Sequence, residues 1–141
     1  MVEDDKVFLI IPGDVKPLAR PRQAMNPKTG KPIWYIPQTV KNYQQLVRTA
    51  ALQHKDAILR LKLQDSYGRL YIKVHFIFRY QRHPDPNNCV SNIWDGLVRA
   101  LGGDDKNFLG EFTFDIDSSR QEGEARLEIL PYKYKKNGIV V

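Results

Sequence analysis

The 141-residue chain contains a single cysteine, Cys89. One thiol excludes an internal disulfide and a cysteine-based zinc site, and it fits a reducing compartment. No apolar run approaches the ~20 residues of a membrane span. The early run VFLII, residues 7 to 11, is too short for a signal-peptide core, and the acidic EDDK before it has the wrong charge. A cytoplasmic protein is therefore expected. Acid is also scarce, but only locally. From Val15 to Lys55 there is no Asp or Glu, against eight basic residues: Lys16, Arg20, Arg22, Lys28, Lys31, Lys41, Arg48 and Lys55.

From Asp104 to Glu128 the balance reverses, with eight acidic residues against three basic ones, and KYKK at 133 to 136 is basic again. The net charge is +6. Segregation on this scale points to one surface that attracts a polyanion and another region where negative charge collects. Solvated faces also give charge runs; so long a stretch without acid tips the reading toward nucleic acid.

Hydrophobic content of 42% and charged content of 27% are ordinary for a globular protein. The length suits one domain that buries roughly two-thirds of its unfolded surface. Residues 6 to 11 are β-branched and aromatic, and PGD stops them, which predicts a first strand. KPLARPRQAMNPKTGKPIW holds four prolines, a glycine and five basic side chains, a composition that predicts an extended loop, with a short strand at IWYI. Val40, Tyr43, Leu46, Val47, Ala50 and Ala51 follow helical spacing, and that helix is expected to run past Leu52 toward Leu59.

DSYGR at 65 to 69 reads as a turn, and LYIKVHFIFRY after it as the strongest strand, with Leu70, Ile72, Val74, Phe76 and Phe78 facing one way. Val90, Ile93, Trp94, Leu97, Val98 and Leu101 then form a helical stripe. Asp85 is placed to cap this helix, Pro86 suits its first turn, and Gly102–Gly103 ends it. EFTFDID and ARLEILPY are two further alternating strands. The chain has no internal repeat. These elements predict a single α+β domain over 1–141, a small mixed sheet packed with two main helices. Within it, a basic loop and first helix occupy about 12–60 and a second helix about 86–101.

Phosphodiester hydrolysis at neutral pH is commonly assisted by a divalent metal. Mg²⁺ takes hard oxygen ligands, mostly carboxylates, and keeps several waters. Candidate carboxylates are Asp85 at the helix start, Asp95 on the helix, and Asp104 with Asp105 beyond its end. On a helical wheel Asn88, Asn92, Asp95 and Arg99 fall opposite the apolar stripe, with Ser91 beside them. Any solvated amphipathic helix has such a polar face, so the wheel alone does not identify a site.

The segment HPDPNNCVSNIWDGLVRALGGDDKNF resembles the RusA family of Holliday junction resolvases, many of them encoded by phages and prophages. That family typically shows Asp-x-Asp-Asn, then a helix with an Asp-Ala-Leu-like step, then a paired Asp-Asp. Here Asp85, Asn87 and Asn88 lie on the first motif, Asp95 in WDGL on the second, and Asp104–Asp105 on the third, with the stretch before Asp104 about a residue short. IPGDVKPLARPRQ and YIPQTVKNYQQLV are similar to the family's Gly-Arg-Pro-Arg segment and to the entry to its first helix. The resemblance covers roughly residues 7 to 130.

It implies a homodimer that binds four-way DNA junctions and uses Mg²⁺, or Mn²⁺, to make paired nicks. Asp85, Asn87, Asp104 and Asp105 would hold metal, with Asp95 joining them in catalysis. Lys16, Arg20, Arg22, Lys28, Lys31, Arg79 and Arg82 would contact DNA. Twofold symmetry of a junction suits two subunits with coordinated cuts.

Two departures stand out. Asn87 replaces the family's usual second Asp and brings an amide oxygen without charge, which weakens Mg²⁺ binding and water activation. Ser91 stands where many members have a lysine able to stabilise developing phosphate charge. Three explanations of Asn87 are open: a tolerated ligand helped by Asp95, Asp115 or Asp117; an introduced substitution that holds substrate without cutting; or a natural junction binder that does not cleave. His83 adjoins this segment and reads as a surface loop residue or a proton donor, Cys89 as a small packed residue, and Trp94 as core. Trp34 and Tyr35 are candidates for unstacking bases at a branch point, with core packing and a dimer contact as the alternatives.

Overall fold

Alternation in the first strand decides which side of the sheet is core. β1 (Val7–Pro12) buries Val7, Leu9 and Ile11 and turns Phe8 and Ile10 to solvent. A computed structural model describes residues 6–18 and 22–133. After β1 come β2 (Arg22–Met25), β3 (Pro32–Tyr35), α1 (Gln38–Leu52), α2 (Lys55–Lys62) and β4 (Leu70–Phe78). α3 (Pro86–Leu101), a 3₁₀ turn (Asp105–Asn107), β5 (Phe108–Ile116) and β6 (Glu124–Pro131) complete the order.

The main sheet runs β1-β6-β4-β5. β6 is antiparallel to both β1 and β4, whereas β4 and β5 are parallel and are joined by the α3 crossover. This is the mixed α+β architecture the sequence predicts. The helices cover one face only. Leu70, Ile72, Val74, Phe76 and Phe78 of β4 meet Ala125, Leu127 and Ile129 of β6 beneath Ile93 and Leu97 of α3 and Val47 of α1.

α1 and α3 approach closely because Gly96 has no side chain. A Cβ there would lie 2.6 Å from the Val47 Cβ and 3.0 Å from the Gln44 carbonyl oxygen. α3 ends as expected at Gly102, whose φ of 78° favours glycine.

Two expectations change. The long first helix is two helices, with the chain turning at Gln53–His54. The turn lets α1 stay against α3 and β1 while α2 packs on β6, burying Ile58 and Leu61. The proline-rich basic segment is not only loop: β2 and β3 pair antiparallel as a separate two-stranded ribbon. Its prolines stand at the turn (Pro27) and at a strand start (Pro32), where a missing N–H disturbs no ladder, so composition hid the strands.

Candidate active site

α3 is the spine of the candidate site. Asp85 precedes it in extended conformation, and its Oδ1 accepts from the Asn87 N–H at 3.0 Å, so the expected cap is present. Among the described residues Oδ2 takes no hydrogen bond. Asp85, Asn87 and Asn88 are exposed, and the Ser91 hydroxyl donates back to the Asn87 carbonyl at 3.3 Å. Asp85 therefore offers a free oxygen in a position fixed by the helix terminus.

The segment after β1 is stitched to this end of α3. Leu18 N–H donates to the Asn88 carbonyl at 2.9 Å, and Asn92 Nδ2 donates to the Lys16 carbonyl at 3.0 Å. Asn92 is fully buried, so it does not belong to a solvated polar face as the wheel suggests. Its Oδ1 accepts from Gln44 Nε2 of α1 at 2.9 Å, and the same amide reaches Asp95 Oδ2 at 3.4 Å. Burial raises the Asp95 carboxyl above its ordinary range, with the charge of Asp105 adding to the rise and Arg99 opposing it.

Asp104 and Asp105 follow α3 and sit together. Asp104 Oδ1 accepts from the Lys106 N–H at 3.0 Å, and that bond holds its carboxyl below the ordinary range. Asp105 is raised, first by burial and then by its bond to Asp104. A 16-residue helix is about 24 Å long, so Asp85 and Asn87 stand at one end of α3 and Asp104 and Asp105 at the other. Among the described residues, no group of three or more His, Cys, Asp or Glu side chains is gathered that could hold a metal. Asp115 is engaged elsewhere, paired with His75 at 3.1 Å, and Asp117 accepts from Ser119.

A cleft of about 270 Å³ lies beside the Asp85 end, with Lys16, Arg82, His83 and Pro84 in its wall over Ile77 and Phe78. His83 is half-buried, stacked on Phe78 at 4.3 Å, and its Nδ1 donates to the Pro84 carbonyl at 2.8 Å. It is thus a packed residue of the cleft wall. Lys16 and Arg82 are exposed and make no ion pair among the described residues.

Arg79 differs from them. Its Nη2 donates to Asp14 Oδ2 at 2.7 Å, its Nε to Asp14 Oδ1 at 3.0 Å, and its Nη1 to the Gln121 carbonyl at 2.8 Å. Asp14 also accepts from the Gly123 N–H at 2.7 Å, and the Arg79 guanidinium holds its carboxyl below the usual range. Sequence reading missed Asp14 and Gln44. Asn92 was read as part of the solvated polar face, whereas it is buried. Arg20 lies outside the described residues. Arg22 begins β2, and Lys28 and Lys31 are exposed near the ribbon's tip.

Cys89 is fully buried, and burial pushes its thiol up to about 12, which makes it the inert packing residue expected. No helix among the described residues is long and apolar enough to cross a membrane.

No curated protein matches the chain. Among solved structures, IspF from Plasmodium falciparum with CDP shares 10% identity at a TM-score of 0.35, covering 90% of this chain and 96% of that one. The 2C-methyl-D-erythritol 2,4-cyclodiphosphate synthase of Plasmodium vivax shares 12% at 0.34, covering 89% and 93%. The bifunctional IspDF of Campylobacter jejuni shares 14% at 0.31, covering 89% and 42%. TM-scores this low carry no structural argument. The family described as Endodeoxyribonuclease RusA, by contrast, matches residues 12–130. With that match spanning the stitched basic segment, α3 and the Asp104–Asp105 pair, the chain belongs to the RusA endodeoxyribonuclease family.

Proposed function

We propose that this protein is a divalent-metal-dependent endonuclease that resolves four-way DNA junctions as a homodimer in the bacterial cytoplasm, in a phage or prophage setting. One observation carries the reading: carboxylates stand at both ends of α3, and Lys16 and Arg82, which make no ion pair among the described residues, flank its Asp85 end. Nucleic acid is attracted by the cations, and phosphodiester chemistry needs the acids.

The separation of the acids along α3 bears on the partner. Twofold pairing is isologous, so an approach of the Asp85 end to the partner's Asp105 is repeated in reverse. One dimer then forms two equal sites, as paired nicking requires. A bound Mg²⁺ or Mn²⁺ would supply Lewis-acid activation of water and phosphate. In each site Asp85 and Asn87, the latter through an uncharged amide oxygen, would hold the ion together with the Asp104–Asp105 pair, which would bring the larger share of negative charge. Asp95, held near Asp105, adds to the field at that end.

A second reading is favoured by Asn87 and Ser91: a junction binder that does not cleave, because one ligand charge and the usual lysine are both missing. Synthetic four-way junction and linear duplex, incubated with Mg²⁺, Mn²⁺ or chelator, separate the two. Symmetric nicks abolished by chelator support the nuclease. Tight junction binding without nicks, converted to cutting by Asn87→Asp, supports the binder. Equal affinity for junction and duplex would sink both.

A further inference from the structure

The ribbon of β2 and β3 leaves its apolar side chains uncovered. Trp34 is 66% exposed, Met25 68%, Ile33 44% and Tyr35 43%. Register places Trp34 opposite Gln23 and Met25 opposite Pro32, so Trp34 and Met25 are diagonal neighbours on one face. Ile33, opposite Ala24, lies on the other face with Tyr35. A two-stranded ribbon cannot cover both of its own faces, and isolated hairpins are marginal in water. Neither strand packs substantially on another element. Core packing is thus excluded for Trp34.

The tip is well ordered by its own bonds. Asn26 N–H donates to the Lys31 carbonyl and Gly30 N–H to the Asn26 carbonyl, each at 2.8 Å. Asn26 Oδ1 accepts from the Lys28 N–H at 2.9 Å. Lys28 and Lys31 are exposed there and make no ion pair among the described residues. No carboxylate occurs between Val15 and Lys55, so the ribbon offers cations and aromatic surface and nothing that repels a phosphate. A protein partner of mixed charge would ordinarily be met by both signs; this surface presents one.

We infer that the ribbon is a base-contacting arm, in which Trp34, backed by Met25, stacks on an unpaired base at a DNA branch point while Lys28 and Lys31 hold the flanking phosphates. Stacking on an aromatic suits any base, because every base has a π-face, and lysines fix the strand without reading it. The arm's root explains the placement. Leu18 and Lys16 are tied to the first turns of α3, and β2 begins four positions after Leu18 in the sequence. This inference rests on the junction-binding reading above.

The test uses the full-length protein in Trp94→Phe form, leaving Trp34 as the sole tryptophan, and a synthetic four-way junction with 2-aminopurine at the branch point, in chelator. Expected are quenching of Trp34 emission by junction and not by duplex, and a rise in 2-aminopurine emission. Trp34→Ala should abolish that rise and weaken junction binding roughly tenfold, the loss of one base–aromatic stack, with duplex affinity unchanged. If the protein binds junction while Trp34 emission and the affinity of Trp34→Ala stay unaltered, the arm inference is overturned and the junction reading stands. A Trp34→Ala protein that changes oligomeric state by light scattering overturns it in favour of a contact between copies. If the unsubstituted protein shows no junction preference, the functional reading fails and this inference with it.

Discussion

Gln44 of α1 donates its side-chain amide to Asn92 Oδ1 of α3 at 2.9 Å, and both residues are buried. The bond locks two helices together and, through Asn92 Nδ2 and the Lys16 carbonyl, fixes the basic segment onto α3. Asn92→Ala removes both connections, leaving the buried Gln44 amide only its long bond to Asp95 Oδ2 and taking the Asn92 donor from the Lys16 carbonyl. Weakening the satisfaction of a buried polar group costs about 1–3 kcal/mol, and a loss of that size in urea unfolding is expected. Because Lys16 is freed with it, junction affinity should fall too. A loss within experimental scatter would show that Asn92 is not a link between fold and DNA surface.

Gly96 should be intolerant of even one methyl group. A Cβ would sit 2.6 Å from the Val47 Cβ and 3.0 Å from a backbone carbonyl, and backbone cannot yield as a flexible side-chain tip can. Gly96→Ala is expected to cost about 1–3 kcal/mol through overpacking. Val47→Gly removes the clashing Cβ on that side, so the double variant should lose less than the two single losses added together. Strict additivity in chemical denaturation would rule out the contact as the cause.

What sequence revealed, and what it did not, follows from which forces leave local traces. The stripe from Val90 to Leu101 and the alternation from Leu70 to Phe78 are periodic because burial is one-sided, and both elements stand where periodicity puts them. Asp85 as a cap was legible because capping is a contact between near neighbours. The break at Gln53–His54 was not, since it reflects different packing partners for α1 and α2 rather than a helix-breaking residue. Asp14–Arg79 and Gln44–Asn92 join residues 65 and 48 positions apart, and no spacing rule reaches across such distances.

Lys16 and Arg82 should behave differently from Arg79, although the family resemblance implies DNA contact for all three. The first two are exposed and make no ion pair among the described residues, so Lys16→Ala or Arg82→Ala should weaken junction binding and reduce the slope of log affinity against log salt by about one each. Their melting temperatures should not move. Arg79 is saturated by Asp14 and Gln121, so Arg79→Ala should lower the melting temperature and leave the salt slope unchanged. An unaltered melting temperature with a reduced slope would return Arg79 to the DNA surface.

The same pair sets an acid limb to stability. Arg79, and behind it the Gly123 N–H, hold the Asp14 carboxyl below its ordinary range. A depressed carboxyl means that the unfolded chain takes up the proton more readily than the native one. The contribution is therefore complete above the ordinary carboxylate range and is lost as pH falls through the lowered value. Asp65, held at about 2 chiefly by Arg69, acts in the same direction and remains when Arg79 is removed. Arg79→Ala should thus be less stable than the parent protein at neutral pH, and the gap should narrow as pH drops below the carboxylate range. Urea midpoints measured across that interval decide it: a constant gap would mean that Arg79 stabilises by packing on Tyr80 and not through the Asp14 charge.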